Sequence, residues 1–149
     1  MAATAVFAHE GHHHHDEPAR SRSEQEIRDE KLKRIGVSYL AQVKPIFQKA
    51  CFDCHSNQTR YPSYYKIPGI RQLIDSDIAE SKKHLDFSND FPFKSHASVE
   101  EDLKAIGDEV REGDMPPFRY RILHSRQKLT KEDKAAISTW VSESAAILK

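Results

Sequence analysis

The stretch that decides the fold is ACFDCHSN, residues 50–57, which contains both cysteines of this 149-residue chain. Cys51, Cys54 and His55 stand at positions i, i+3 and i+4, which share one face of a helical turn. Two thiols and one imidazole can therefore reach the same group. A C-x-x-C-H run is typical of c-type haem attachment, in which the thiols form thioethers to the haem and the histidine binds its iron.

Three other uses of paired cysteines have to be weighed: a redox dithiol, a structural zinc site and a disulfide. A thioredoxin-like dithiol follows a strand within a βαβ unit, whereas an amphipathic helical pattern precedes Cys51. A structural zinc site takes four ligands, and the chain contains no second C-x-x-C pair. A disulfide that closes so short a loop adds little stability. The residues favour one covalently attached haem, haem c, over these alternatives.

The composition favours one small domain without a strongly charged partner. Hydrophobic residues make up 38% of the chain, and 23 basic residues balance 23 acidic ones. A neutral chain has no net field to attract nucleic acid or an anionic membrane, so we expect no nucleic-acid partner. No apolar run approaches the roughly 20 residues that a membrane span needs, so we expect no membrane span. The low apolar content suggests a core completed by a bound group such as haem.

The N-terminal region is polar and histidine-rich. Residues 6–8, VFA, match the small-x-small end of a secretory signal peptide, so residues 1–8 are interpreted as a signal remnant. Haem c is attached outside the bacterial cytoplasm, and we therefore expect a periplasmic or otherwise exported protein. Residues 1–22 are predicted to be a disordered tail, whose run His12–His15 is either solvated or metal-binding. Residues 23–149 are predicted to form the haem domain.

The remaining sequence predicts an all-α fold with four helical segments. Three of them begin at a capping box, formed by the pairs Ser23–Glu26, Ser98–Glu101 and Thr130–Asp133. Gly36 and Pro45 interrupt the first segment, so two helices joined near Gly36 are as consistent with the pattern as one bent helix. A second apolar stripe runs from Ile70 to Leu85. Gly113 is predicted to end the third helix.

A haem bound by His55 leaves a second axial position, and its ligand decides the chemistry. A thioether raises the reduction potential, an imidazole lowers it, and an open position admits gases or peroxide. Apart from Met1, Met115 is the only methionine, and it lies in the proline-stiffened turn GDMPP, residues 113–117. We therefore predict Met115 as the distal ligand, with a core-filling role as the alternative. Three histidines are the other candidates for this position: His84, His96 and His124.

The chain resembles the monohaem cytochromes c, and among them the small bacterial haem-binding domain family. The pattern of that family is a C-x-x-C-H-S-N run, a T-x-Y-P stretch, an L-N-F-S segment, an M-P turn and a late tryptophan. The corresponding residues here are Cys51, Cys54, His55, Ser56 and Asn57, then Thr59, Tyr61 and Pro62, then residues 85–88, and finally Met115, Pro116 and Trp140. The resemblance extends from about Val43 to Val141.

The resemblance implies an all-α, cytochrome c-like helical domain wrapped around one covalently attached haem. It also implies that His55 and Met115 are the axial ligands. Two positions depart from the family pattern. Ser63 stands where the family often has tryptophan, and we expect the smaller side chain to open or repack the haem edge. Asp86 replaces the usual asparagine.

The resemblance further implies that Arg60 and Tyr61 lie near the haem. A guanidinium or a phenol hydroxyl can hydrogen-bond a haem propionate and offset its charge. The alternative interpretation of Tyr61 is an aromatic side chain that packs on an ordinary proline turn.

These features predict an electron-transfer protein with a redox donor and a redox acceptor as partners. No nucleophile–base pair is evident, and a dihaem peroxidase would need a second C-x-x-C-H run, so we do not expect an enzyme. The alternative is a haem-based redox or gas sensor, in which Met115 is absent from the iron or easily displaced.

Overall fold

The computed structural model describes residues 22–149. The signal-like residues 1–8 and the run His12–His15 lie outside the described residues. The described part contains seven α-helices, a π-helical turn, two 3₁₀ helices and a two-stranded sheet. In chain order these are α1 Glu24–Ser38, the π-helical turn Tyr39–Val43, α2 Lys44–Ala50, α3 Phe52–His55, a 3₁₀ helix Ser63–Lys66, α4 Ile70–His84, β1 Leu85–Asp86, β2 Lys94–Ser95, α5 Val99–Glu112, α6 Phe118–Leu123, a 3₁₀ helix Ser125–Gln127 and α7 Lys131–Leu148. The all-α prediction is confirmed.

The three predicted helix starts are confirmed, as is the end of α5. Ser23, Ser98 and Thr130 each cap a helix through a reciprocal capping box. Each box satisfies backbone N–H groups that lack a partner at a helix start. Gly113 ends α5 in the left-handed conformation, with φ of 81°, which glycine adopts without steric cost.

The first helical segment forms two α-helices, α1 and α2, whose junction begins three residues after Gly36. α1 continues to Ser38 and passes directly into the π-helical turn. Pro45 follows at the start of α2, where a regular helix would bring its ring against the carbonyl four residues earlier. The wider π-helical turn relieves that clash. A Cβ at Gly36 would lie 3.4 Å from the Phe91 carbonyl oxygen, so α1 passes close to that segment at this residue.

The core is aromatic and lies between α1, the π-helical turn, α5 and α7. Tyr39 and Trp140 are completely buried, and their ring centroids lie 5.8 Å apart. Five phenylalanines join the same cluster: Phe47, Phe52, Phe87, Phe91 and Phe93. Such offset and edge-on pairs add to the burial of apolar surface. This aromatic cluster is the packed core against which the rest of the described chain lies.

The other side of the molecule carries α3, α4 and α6, and it is open. Neither α4 nor α6 contains a fully buried residue. Several large apolar side chains remain exposed there: Ile70, Leu73, Phe118, Ile122 and Leu123. Within residues 22–149 no helix combines the length and the apolar composition that a membrane span requires.

Candidate functional site

Cys51, Cys54 and His55 lie together on one helical turn, as their spacing predicts. Cys51 precedes α3, and its carbonyl oxygen accepts hydrogen bonds from the N–H groups of Cys54 (3.2 Å) and His55 (3.0 Å). Phe52 is buried, and its ring packs on that of Phe87 with centroids 6.3 Å apart. The turn is thus anchored to the aromatic core by Phe52, while both cysteines stay half-buried at its surface.

The two cysteines are free thiols of low acidity. Burial raises the pKa of Cys51 to about 12, and the neighbouring Cys54 adds to the effect. Burial also raises the pKa of Cys54 to about 11, with the negative charge of Asp53 adding to it. Zinc ligation and thiol nucleophiles both use the thiolate. Residues 22–149 also contain no cluster of three or more side chains able to hold a metal ion. The raised pKa values disfavour a reactive dithiol, and the described residues offer no set of ligands for a structural zinc site.

His55 is held by a backbone carbonyl. Its Nδ1 lies 2.8 Å from the Leu85 carbonyl oxygen, and the Phe87 N–H donates to the His55 carbonyl oxygen at 2.7 Å. Burial lowers the pKa of His55 and keeps the ring neutral. A neutral ring that donates from Nδ1 has its lone pair on Nε2, which is the arrangement of a metal-binding histidine. The short strand β1 therefore orients the imidazole.

Asp53, between the two cysteines, is the most connected side chain of the turn. Its carboxylate is almost fully buried and accepts hydrogen bonds from the backbone N–H of Arg60 (3.0 Å) and from Nε (3.0 Å) and a terminal nitrogen (3.2 Å) of the Arg60 guanidinium. A fourth comes from the Tyr120 hydroxyl at 2.6 Å. Burial acts to raise the pKa of Asp53, but these hydrogen bonds outweigh it and hold the pKa below its usual value. The sequence analysis missed both Asp53 and Tyr120.

Tyr120 also connects α6 to its surroundings. Its ring stacks on His124 with centroids 4.1 Å apart. The His124 Nδ1 donates to the Tyr120 carbonyl oxygen at 3.1 Å, and the His124 Nε2 accepts from the Tyr64 hydroxyl at 3.2 Å. Both ring nitrogens of His124 are therefore engaged, which disfavours it as an iron ligand.

The other two candidate histidines also have protein partners. The His84 Nε2 lies 2.9 Å from a Glu80 carboxylate oxygen on the exposed surface of α4. The His96 Nδ1 lies 3.2 Å from the Lys83 carbonyl oxygen, and its ring lies 5.7 Å from that of His84. The pair lies at the surface beside β1.

Met115 lies in the turn between α5 and α6 and lines an open cavity of about 320 Å³. Pro116, Phe118, Ile122 and Leu129 form its apolar walls. Three cationic side chains complete the lining: Arg121, Lys128 and Lys134. Neither cysteine nor His55 lines this cavity, and the axial role of Met115 stays a prediction.

Arg60 and Tyr61 are near the turn, but with different surroundings. The Arg60 guanidinium is occupied by Asp53 and by the carbonyl oxygens of Gln48 and Lys49. Tyr61 is 52% exposed, and its ring centroid lies 4.3 Å from that of Tyr65. A propionate contact for either residue stays a prediction, and Arg60 already has an anionic partner.

The two departures from the family pattern have local explanations. Ser63 begins a 3₁₀ helix. Asp86 accepts hydrogen bonds from the N–H and the hydroxyl of Ser88, and Ser88 in turn accepts from the Asn57 N–H at 3.0 Å. Asp86 therefore braces the segment that follows β1 against the end of the Cys-x-x-Cys-His turn.

Comparison with known proteins gives a family for this arrangement. The family described as "Haem-binding domain" matches residues 12–143. A cytochrome c peroxidase, Ccp of Escherichia coli (strain K12), is 33% identical over 101 residues, which are 66% of this chain and 22% of that protein. The chain thus spans about a fifth of the length of this relative. No solved structure shows significant similarity to the chain.

The residues of the turn fit a haem. Two thiols and a histidine whose Nδ1 is held by the Leu85 carbonyl oxygen lie on one turn, which is the donor set of covalent attachment. Exposed apolar side chains flank it on α4, which packs on α3, and on α6, which is tied to the turn by Tyr120. A flat apolar group bound between these helices would remove apolar surface from water.

Proposed function

The chain belongs to the haem-binding domain family, and we propose that it is a monohaem c-type cytochrome that transfers single electrons. The observation that carries the proposal is the turn itself. Cys51 and Cys54 are protonated thiols placed beside a neutral His55, whose Nδ1 is fixed by the Leu85 carbonyl. We assign thioether attachment of one haem to the two cysteines, and proximal ligation to His55.

Met115 is the proposed distal ligand. The Met-Pro-Pro turn joins α5 directly to α6, and α6 contacts the Cys-x-x-Cys-His turn through the hydrogen bond from Tyr120 to Asp53. Prolines restrict the backbone and so limit the positions that the sulfur can reach. A haem iron bound by one imidazole and one thioether exchanges one electron at a raised potential.

The protein side chains favour electron transfer by limiting water and charge near the site. Phe52 and Phe87 pack beneath the turn, and Phe87 also contacts the His55 ring at 5.3 Å between centroids. Asp53 lies nearest the site among the buried anions, and the Arg60 guanidinium neutralises it. A low-polarity environment and a balanced charge are two of the features by which a protein sets a haem potential.

The haem carboxylates also need counter-charges, and the Met115 cavity offers three. Within residues 22–149, Arg121, Lys128 and Lys134 form no ion pair with a carboxylate. The Arg121 Nε is buried without a hydrogen-bond acceptor there. Since Arg60 is already paired with Asp53, we propose these three cations, beside Arg60 and Tyr61, as candidate partners of the propionates.

We further propose that the protein is exported, since haem c is attached outside the bacterial cytoplasm. Its partners would be one electron donor and one electron acceptor, and it would have no catalytic activity of its own.

A second candidate is a small-ligand-binding haem protein with an open distal position. The similarity to the Escherichia coli cytochrome c peroxidase Ccp favours it, together with the half-buried position of Met115 beside an open cavity. In that case the iron would bind carbon monoxide or peroxide without displacing a protein ligand.

The spectrum of the holoprotein with and without Met115 separates the two candidates. We expect the ferric protein to show a methionine-to-iron charge-transfer band and the reduced protein to resist carbon monoxide. Met115→Ala should lose the band and bind carbon monoxide readily, because the thioether is gone. His96→Gln, at an exposed candidate histidine, is the matched control, and it should retain the band. A Met115→Ala protein with the spectrum of the wild type would refute ligation by Met115.

A further inference from the structure

We infer that Tyr120 is a positioning residue for the distal ligand: its hydrogen bond to Asp53 holds the Met115 turn against the Cys-x-x-Cys-His turn. The inference rests on the proposed function, because it assumes that Met115 binds the iron. It assigns a role to a side-chain hydrogen bond between the two segments that carry the proposed axial ligands.

The contact is short and its acceptor is buried. The Tyr120 hydroxyl donates to Oδ2 of Asp53 at 2.6 Å, across 67 positions of sequence. Asp53 is 7% exposed and lies two residues before His55. A hydrogen bond to a carboxylate is stronger than one between neutral groups, and burial strengthens it further.

The acceptor is also fixed in orientation. Arg60 donates to both oxygens of the Asp53 carboxylate through its guanidinium, and its backbone N–H donates to Oδ1. The carboxylate therefore cannot rotate to follow a displaced tyrosine. A displacement of Tyr120 therefore breaks its hydrogen bond to Asp53, because the carboxylate cannot move with the tyrosine.

Tyr120 is close in sequence to Met115, and the intervening chain is stiff. Pro116 and Pro117 lie between them, and the Tyr120 N–H donates to the Pro117 carbonyl oxygen at 3.0 Å. Both prolines have a fixed φ. The position of the Tyr120 ring therefore limits the positions that the Met115 sulfur can take.

Other attachments of α6 are weaker. The helix has no fully buried residue. One terminal nitrogen of the Arg119 guanidinium lies 2.7 and 2.6 Å from the two Asp77 carboxylate oxygens, but the Arg119 side chain is 64% exposed. Exposed ion pairs contribute little because water and salt screen them. Loss of the Tyr120 hydroxyl therefore leaves the Met115 turn with greater freedom.

The test compares Tyr120→Phe with Tyr65→Phe in the holoprotein. Tyr65 is a matched control because its hydroxyl also donates to an aspartate, Asp75, at 2.6 Å, but on the exposed surface. Imidazole is titrated into each ferric protein, and its displacement of the thioether is followed by loss of the methionine-to-iron band. Urea unfolding of each variant is measured alongside.

We expect imidazole to bind Tyr120→Phe about tenfold more tightly than the wild type, since a bond to a charged group no longer opposes displacement of Met115. Tyr65→Phe should bind imidazole as the wild type does. A purely structural role would lower the urea midpoint of Tyr120→Phe and leave its imidazole affinity unchanged, and that result overturns the inference. A wild-type protein without the band overturns both the inference and the Met115 assignment, whereas a wild-type band with equal affinities overturns the inference alone.

Discussion

At the scale of single residues, the site depends on a buried carboxylate that the haem motif itself does not require. A buried carboxylate is costly unless it is paired and hydrogen-bonded. Asp53 has four hydrogen bonds, three from Arg60 and one from Tyr120. The guanidinium that the family resemblance places near a haem propionate is therefore needed within the protein to stabilise the turn.

Arg60→Gln should consequently destabilise the protein. The substitution leaves Asp53 buried without its cation, and we expect the free energy of unfolding to fall by about 2 kcal/mol. Arg71→Gln is the control, because Arg71 forms an exposed ion pair with Asp75 at 3.6 Å and should cost less than about 0.5 kcal/mol. Urea unfolding of the holoproteins measures both changes. Equal losses in the two variants would contradict this account of Asp53.

At the scale of elements, the predictions succeeded where local sequence determines local structure. The capping boxes at Ser23, Ser98 and Thr130 each depend on residues three positions apart, and all three are present. The strands β1 and β2 were not predicted, because each has two residues and no alternating pattern. Helix α6 was missed for a similar reason, since its six residues bury no apolar face.

The bend in the first helical segment shows the same limit. Proline at position 45 correctly indicated an irregularity, because its effect on the preceding turn is local. Gly36 also suggested an interruption, but α1 passes through it, and the segment it approaches, at the Phe91 carbonyl oxygen, lies 55 positions away. Glycines near helix ends and glycines at close contacts look alike in sequence.

The start of α7 carries a pH-dependent contribution to stability. Asp133 caps the helix with Thr130 and forms an ion pair with Lys49. Burial acts to raise the pKa of Asp133, but the hydrogen bonds from Lys49 and Thr130 outweigh it and lower the pKa. A pKa that is lower in the folded than in the unfolded state stabilises the protein above the unfolded value, near 4, and the benefit is lost as the pH falls through the folded value.

Asp133→Asn should therefore lower the free energy of unfolding by about 1 kcal/mol at neutral pH. The difference from the wild type should shrink as the pH falls below about 4. Glu132→Gln is the control, because Glu132 is exposed in the same helical turn. Its small effect should arise only from the helix dipole. Thermal unfolding across this pH range measures the differences, and a constant cost for Asp133→Asn at every pH would contradict the assignment.

At the scale of the whole molecule, two halves of different character meet at the Cys-x-x-Cys-His turn. One half is closed, with α1, α5 and α7 packed around Trp140 and Tyr39. The other half, α4 and α6, leaves apolar side chains exposed. The sequence predicted the donor residues because they are adjacent, but not the Asp53–Tyr120 contact, whose members lie 67 positions apart. Nothing in either segment indicates its partner.

The most direct test of the central claim is the intact mass of the denatured protein after expression with the haem-attachment machinery. We predict the mass of the polypeptide plus one haem, because thioethers to Cys51 and Cys54 survive denaturation. A Cys51→Ser, Cys54→Ser double variant should have the mass of the polypeptide alone. A wild-type protein whose denatured chain carries no haem, or whose haem is retained in the double variant, would contradict the account.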